Sequence, residues 1–236
     1  MSAEAAVIAV AVLIYLVDCV VRLERGQALL EATWSRLALS FGPTHYQYRG
    51  KVVALLNPLT PFIPALRTAP LFSGSQGPKA STAIHAVAPL VASALVQFVL
   101  IFVALPYCLY RAPGWPFFVS LVLAYVNAVA MLGVAWWRFR KAGILTRPLV
   151  GLGFSCLVCL PLSVNCLRKA GLACNLAMDA RRAMRFLPEN QKQSARSDFA
   201  AQITEAMQEL DESDPLHGRL AALRLQLVPE AGHGRI

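Results

Sequence analysis

Cys156 and Cys159 are the sharpest chemical feature of this sequence. Three-residue spacing on a helix turns both thiols to one face, with Cys166 one helical repeat further along. A thiol pair so placed could exchange with a disulfide; the plainer reading is packing, because a thiol in an apolar run behaves as a small hydrophobe. Gln97 and Asn127 each fall near the middle of an apolar run, and in a hairpin that turns at about residue 112 they stand almost level. A hydrogen bond between helices is expected there, of the kind that contributes about 1 kcal/mol to association, with Ala124 and Ala128 supplying a small surface for close approach. The same pair could alternatively line a small channel or carrier path. Asp18 precedes Arg22 by four residues, a spacing that forms an ion pair on a helix. The four histidines, His45, His85, His217 and His233, lack the spacing of metal ligands, and neither metal nor cofactor is expected.

The cysteine pair carries a resemblance. In Cys156-Leu157-Val158-Cys159, and in size, the chain resembles the quinone-linked thiol oxidoreductases of the bilayer, which are small helix bundles. The resemblance implies a redox role for the two thiols with a quinone as acceptor. Those enzymes also use a second, outer cysteine pair, and here the outer loop region offers only Cys108.

The elements that must position these groups are read from hydropathy. Of 236 residues, 57% are hydrophobic and 15% charged, and the mean hydropathy is +0.53, on the membrane side of globular composition. Three runs approach the roughly 20 residues that cross a bilayer: an anchor within 1–21, then 84–110 and 115–137; a fourth, 149–167, is either crossing or embedded, with Pro161 and Asn165 favouring a non-crossing course. The net charge of +9 sits mostly just outside these runs, which fits membrane topology and argues against nucleic acid as a partner. Counting Lys and Arg places the segment 22–83 in the cytoplasm and the N-terminus outside. Composition points to the inner membrane of a bacterium.

Residues 22–83 read as a small insert. Alternation over Leu37 to Phe41, Tyr46 to Tyr48 and Lys51 to Leu56 predicts a three-strand meander. Pro58, Pro61 and Pro64 share one edge of a polyproline II rod, usable as a docking strand or as a spacer, and 73–81 reads as a flexible connection. In the tail, 168–236, Leu172, Leu176, Ala180, Met184 and Leu187 form a stripe beside Arg181, Arg182 and Arg185, the pattern of a basic helix lying on anionic headgroups. Ser197 is expected to cap a helix bearing Phe199, Ile203 and Met207, and Asp214-Pro215 to start another bearing Leu216, Leu220 and Leu223. The two should close as a hairpin whose stripes either pack on each other or receive a partner.

The sequence therefore predicts an all-α membrane fold, a bundle of three or four transmembrane or embedded helices with a small β-containing insert and an amphipathic tail. The expected role is that of an accessory or scaffolding subunit, contacting lipid headgroups and either a partner protein or a second copy of itself. No phosphate loop, nucleophile elbow or His-Glu-x-x-His motif points to catalysis.

Overall fold

The computed structural model describes residues 3–24, 26–33, 36–41, 47–48, 51–71, 77–111, 114–208, 210–211 and 213–227. The chain is mostly helical with small sheets, and two helices are long and apolar enough to cross a membrane. The first is Leu90–Arg111, made of α3 (Leu90–Val99), a π segment (Leu100–Ala104) and α4 (Leu105–Arg111). Its 22 residues and the 27 of α5 (Trp115–Lys141) reach about 33 and 40 Å at 1.5 Å per residue, against a hydrocarbon core of about 30 Å. The π segment lies just ahead of Pro106, which has no N–H to give to the preceding turn; a π-bulge absorbs such a defect.

The apolar runs at 1–21 and 84–110 end differently from expectation. Helix α1 (Ala3–Asp18) has 16 residues, or about 24 Å, because the chain leaves the helix and enters strand β1 (Val20–Leu23). Three β-branched valines at Val17, Val20 and Val21 ease that change of period. The run from Ile84 divides at Pro89: α2 (Ala80–Val87) is a separate helix, and the missing N–H of Pro89 breaks the ladder before α3.

The meander is replaced by two sheets. β1 pairs with β5 (Lys51–Leu55), which pairs with β4 (Gln47–Tyr48), all antiparallel. The second sheet has the order β3 (Arg36–Ser40), β2 (Leu29–Thr33), β6 (Ala65–Ala69) and β7 (Asn175–Asp179). The three expected runs therefore divide between partners, because Val20–Leu23 and Leu29–Thr33 are themselves strands and compete for the pairing. Tyr46 and the Gly42-Pro43 turn lie outside the described residues, as do 73–76 of the expected flexible connection, whose last two residues, Ala80 and Ser81, instead open α2.

The prolines form no rod. The chain turns at 58–59 and again at 61–63, Pro61 and Pro64 are buried, and Pro58 is half-buried beneath the end of α1. The side chains that follow them feed the core, where Ala65 and Leu66 are fully buried.

β7 comes from the far end of the chain, and its parallel pairing with β6 joins insert and tail in one module. The run between them doubles back. α6 (Arg147–Val158) stops at Cys159, whose backbone is extended; a 3-10 turn (Leu160–Asn165) containing Pro161 follows, and α7 (Cys166–Ala173) returns against α6 and β6. The expected basic helix from Leu172 is interrupted by β7, leaving α8 (Ala180–Met184) with Arg181 and Arg182, and Arg185 just beyond it. α9 (Glu189–Gln208) starts eight residues before Ser197, which is an interior helical residue and not its cap. α10 (Pro215–Leu227) starts where expected, the Asp214 carboxylate accepting from the Leu216 N–H at 2.8 Å.

Candidate functional site

Buried polar groups collect where α1, the turn after β5 and the 3-10/α7 segment meet. Arg168 is fully buried, and its Nη2 donates to the Asn57 carbonyl at 2.8 Å, to the Thr60 carbonyl and to the Thr60 hydroxyl at 3.1 Å. The Tyr15 hydroxyl donates to the Pro58 carbonyl at 2.5 Å, so the proline turn is held from two sides. Asp18 meets Lys169, one residue beyond Arg168, and accepts from Asn165 Nδ2 at 3.1 Å. The expected Asp18–Arg22 spacing is lost because α1 ends at Asp18; Arg22 sits in β1, in register with Val53. The Lys169 ammonium that meets Asp18 comes from 151 residues along the chain, which no local pattern could announce.

The second polar group lies between the two long helices and the 3-10 turn. Asn127 Nδ2 donates to Gln97 Oε1 at 2.7 Å and to the Ser93 carbonyl at 3.0 Å, while its Oδ1 accepts from the Ser93 hydroxyl at 2.8 Å. Gln97 Nε2 donates to the Ser163 hydroxyl at 2.7 Å, which donates to the Leu160 carbonyl at 2.5 Å. Each link ends on an acceptor that is itself held, so the chain staples the 3-10 turn to both long helices. Ala124 and Ala128, fully buried on the inner stripe of α5, let α3 approach closely. Replacing Gln97 or Asn127 with leucine should each cost about 1–2 kcal/mol, and the double variant less than the sum because one bond is shared. Thermal melts of the three variants in one detergent check this; additive losses would mean the two side chains act separately.

The cysteines divide differently from their spacing. α6 ends at Val158, so Cys156 and Cys159 do not share a continuous helical face. Cys156 is buried beside the equally buried Cys166, whereas Cys159 is half-buried at the extended break. An exchanging pair needs both thiols within reach of each other and of a partner, and of the two Cys159 is the more accessible. Among the described residues, no three His, Cys, Asp or Glu side chains gather as metal ligands would.

The tail residues expected to contact a partner fall into two sets. Phe199 and Leu223 are spent internally: Phe199 stacks on Phe41 with ring centroids 5.2 Å apart, and Leu223 packs in the core with Met184 and Leu187. Gln202 fixes the junction by donating to the Phe41 carbonyl at 2.5 Å. Met207 packs at the margin of this core. Ile203, Leu216 and Leu220, with Leu71 and Leu210, line an open cleft of about 160 Å³. Asp211 and Asp214 lie in the chain between Leu210 and Leu216, which both line it. Pro58, Pro61 and Pro64 offer no docking edge, since their turn is packed beneath α1 and tied by Arg168 and Tyr15. Arg181, Arg182 and Arg185 are all exposed. No family model, curated protein or solved structure matches the chain.

Proposed function

We propose that this chain is a multi-pass accessory subunit of a bacterial inner membrane, a bundle of three or four spanning or embedded segments that carries a cytoplasmic module able to receive a partner protein. The observation that carries the membrane reading is exposure: only 22% and 17% of the most apolar windows of the two long helices are buried. A core helix of a soluble protein would be largely covered, and a lipid-facing one need not be. α1 and the hairpin of α6 and α7 pack against these two helices as further embedded segments. An outside N-terminus follows from placing the basic insert and the Arg138, Arg140 and Lys141 end of α5 on the cytoplasmic side. The β6/β7 pairing supports a course in which insert and tail lie on that same side and 149–167 enters the bilayer and turns back.

The partner reading rests on the cleft at the end of the tail hairpin. It has room for one large apolar side chain, the kind of anchor that dominates protein interfaces, and its acidic turn favours basic residues beside that anchor. A photo-crosslinking residue at Leu216 should yield one discrete adduct in intact cells, and the adduct should disappear with Leu210→Glu. The same probe at Leu225, 80% exposed but outside the cleft, is the control. Equal adducts at both positions would sink the proposal; an adduct of twice the chain's mass would identify the partner as a second copy.

A further inference from the structure

A second concavity lies where the module meets the helices. Its floor includes Leu30, Ile84 and Met178, and Lys79, Arg182 and Arg185 line it as exposed cations; its volume is about 560 Å³. That is within the range of pockets that hold small molecules. Phe186 lies at its margin, 65% exposed. Among the described residues no carboxylate lines it. The nearby Asp179 is engaged as a helix cap, accepting from the Arg182 N–H at 2.8 Å.

The depth of this groove is set by α2, which forms one wall. Ala83, Ala86 and Val87 of α2 share a core with Phe139, in the last turns of α5. Those turns carry Trp136 and Trp137, with the Arg138 guanidinium 5.3 Å and the Lys141 ammonium 5.5 Å from the Trp137 ring centroid. Tryptophan and basic residues of this kind gather at the headgroup level of a bilayer. The groove therefore combines an apolar floor, a cationic rim and interfacial depth.

We propose that it holds one anionic phospholipid, with the phosphate on Lys79, Arg182 and Arg185 and the upper part of one acyl chain over Leu30, Ile84 and Met178 beside Phe186. This rests on the membrane reading above. A zwitterionic lipid is disfavoured because its own cation would meet three others with no carboxylate to receive it. Arg181 points the same field outward but does not line the groove.

Native mass spectrometry of the full chain in neutral detergent, titrated with short-chain phosphatidylglycerol or phosphatidylcholine, tests it. The wild type should retain one phosphatidylglycerol at concentrations where phosphatidylcholine is lost. The triple variant Lys79→Ser, Arg182→Gln, Arg185→Gln should weaken retention by about tenfold or more, since each cation near a headgroup adds to the attraction. Ile84→Trp, which fills the floor without changing charge, should weaken it too. Equal retention of both lipids, or unchanged retention in the variants, overturns the proposal. So does displacement by glycerol phosphate at the lipid's own concentration, since the floor would then contribute nothing. Alkaline extraction of membranes holding the wild type reports separately on the membrane reading: a chain released by alkali would overturn that reading whatever the lipid counts.

Discussion

Replacing Arg168 with methionine should lower the stability of the folded chain by about 3 kcal/mol, the largest loss expected from removing one side chain's hydrogen bonds. The guanidinium is fully buried and donates to two backbone carbonyls and one hydroxyl on the turn after β5. Hydrogen bonds from a charged donor contribute about 1.5–3 kcal/mol each, and acceptors left without a donor keep their desolvation cost. Part of that loss is recovered because methionine removes the cost of burying a charge. Lysine should rescue in part, since all three bonds come from the single nitrogen Nη2 and an ammonium carries three donors of its own. Thermal unfolding in detergent and limited proteolysis at the 57–60 turn are the readouts. A loss below about 0.5 kcal/mol with the turn still protected would mean that Tyr15 alone holds it.

The same residue explains what could be read from the sequence and what could not. Apolar runs with punctuation gave the two long helices, because crossing length and hydropathy are local properties. The cap at Asp214-Pro215 and the level placement of Gln97 with Asn127 are local as well, set by hydrogen-bond chemistry at one position and by counting from one turn. Arg168, by contrast, looked like a basic residue flanking a hydrophobic segment, the usual sign of the membrane surface. Its partners lie 108 and 111 residues away, and only the return of α7 beneath the sheet brings them together. The proline spacing misled for a related reason: a period of three describes a rod only where the backbone is unconstrained, and here a buried guanidinium and a tyrosine bend it into turns. Strand pairing was the least legible feature, since period-two alternation marks a strand without naming its neighbour.

The tail was legible in its periodicity but not in its partition. Helical spacing put Phe199, Ile203, Met207, Leu216, Leu220 and Leu223 on inward stripes, and no sequence pattern said which would meet residues such as Phe41, just past β3, and which would remain at an open end. The answer depends on Phe41, just past β3, which covers Phe199, and on Gly26 of the β1–β2 turn, which faces Leu216 only across the open cleft. An apolar stripe longer than the surface that covers it leaves its excess for something else, and that excess is the cleft assigned to a partner.

Gly171→Ala should be at least as damaging as the loss of Arg168, about 3 kcal/mol or more, and for a reason of space. A Cβ at Gly171 would overlap the Ala65 carbonyl oxygen and press on Leu66. Both neighbours belong to β6, the strand that joins insert to tail through β7, and a backbone oxygen cannot rotate away as a side chain could. Overpacking of this kind typically costs 1–3 kcal/mol and more where the backbone must move. Gly151→Ala is the control, because nothing lies within 4 Å of its Cβ position; there the better helix former should stabilise α6 by up to about 1 kcal/mol. Cys174 reports the outcome. It closes α7, is 1% exposed, and burial pushes its thiol pKa up to about 12, so at pH 8 only about one thiol in ten thousand is the reactive thiolate. Alkylation of Cys174 should be negligible in the wild type and in Gly151→Ala, and should rise sharply in Gly171→Ala as α7 is forced off β6. Unchanged alkylation together with an unchanged melting temperature would show that the sheet tolerates the shift, and that insert and tail are joined less rigidly than their shared strands imply.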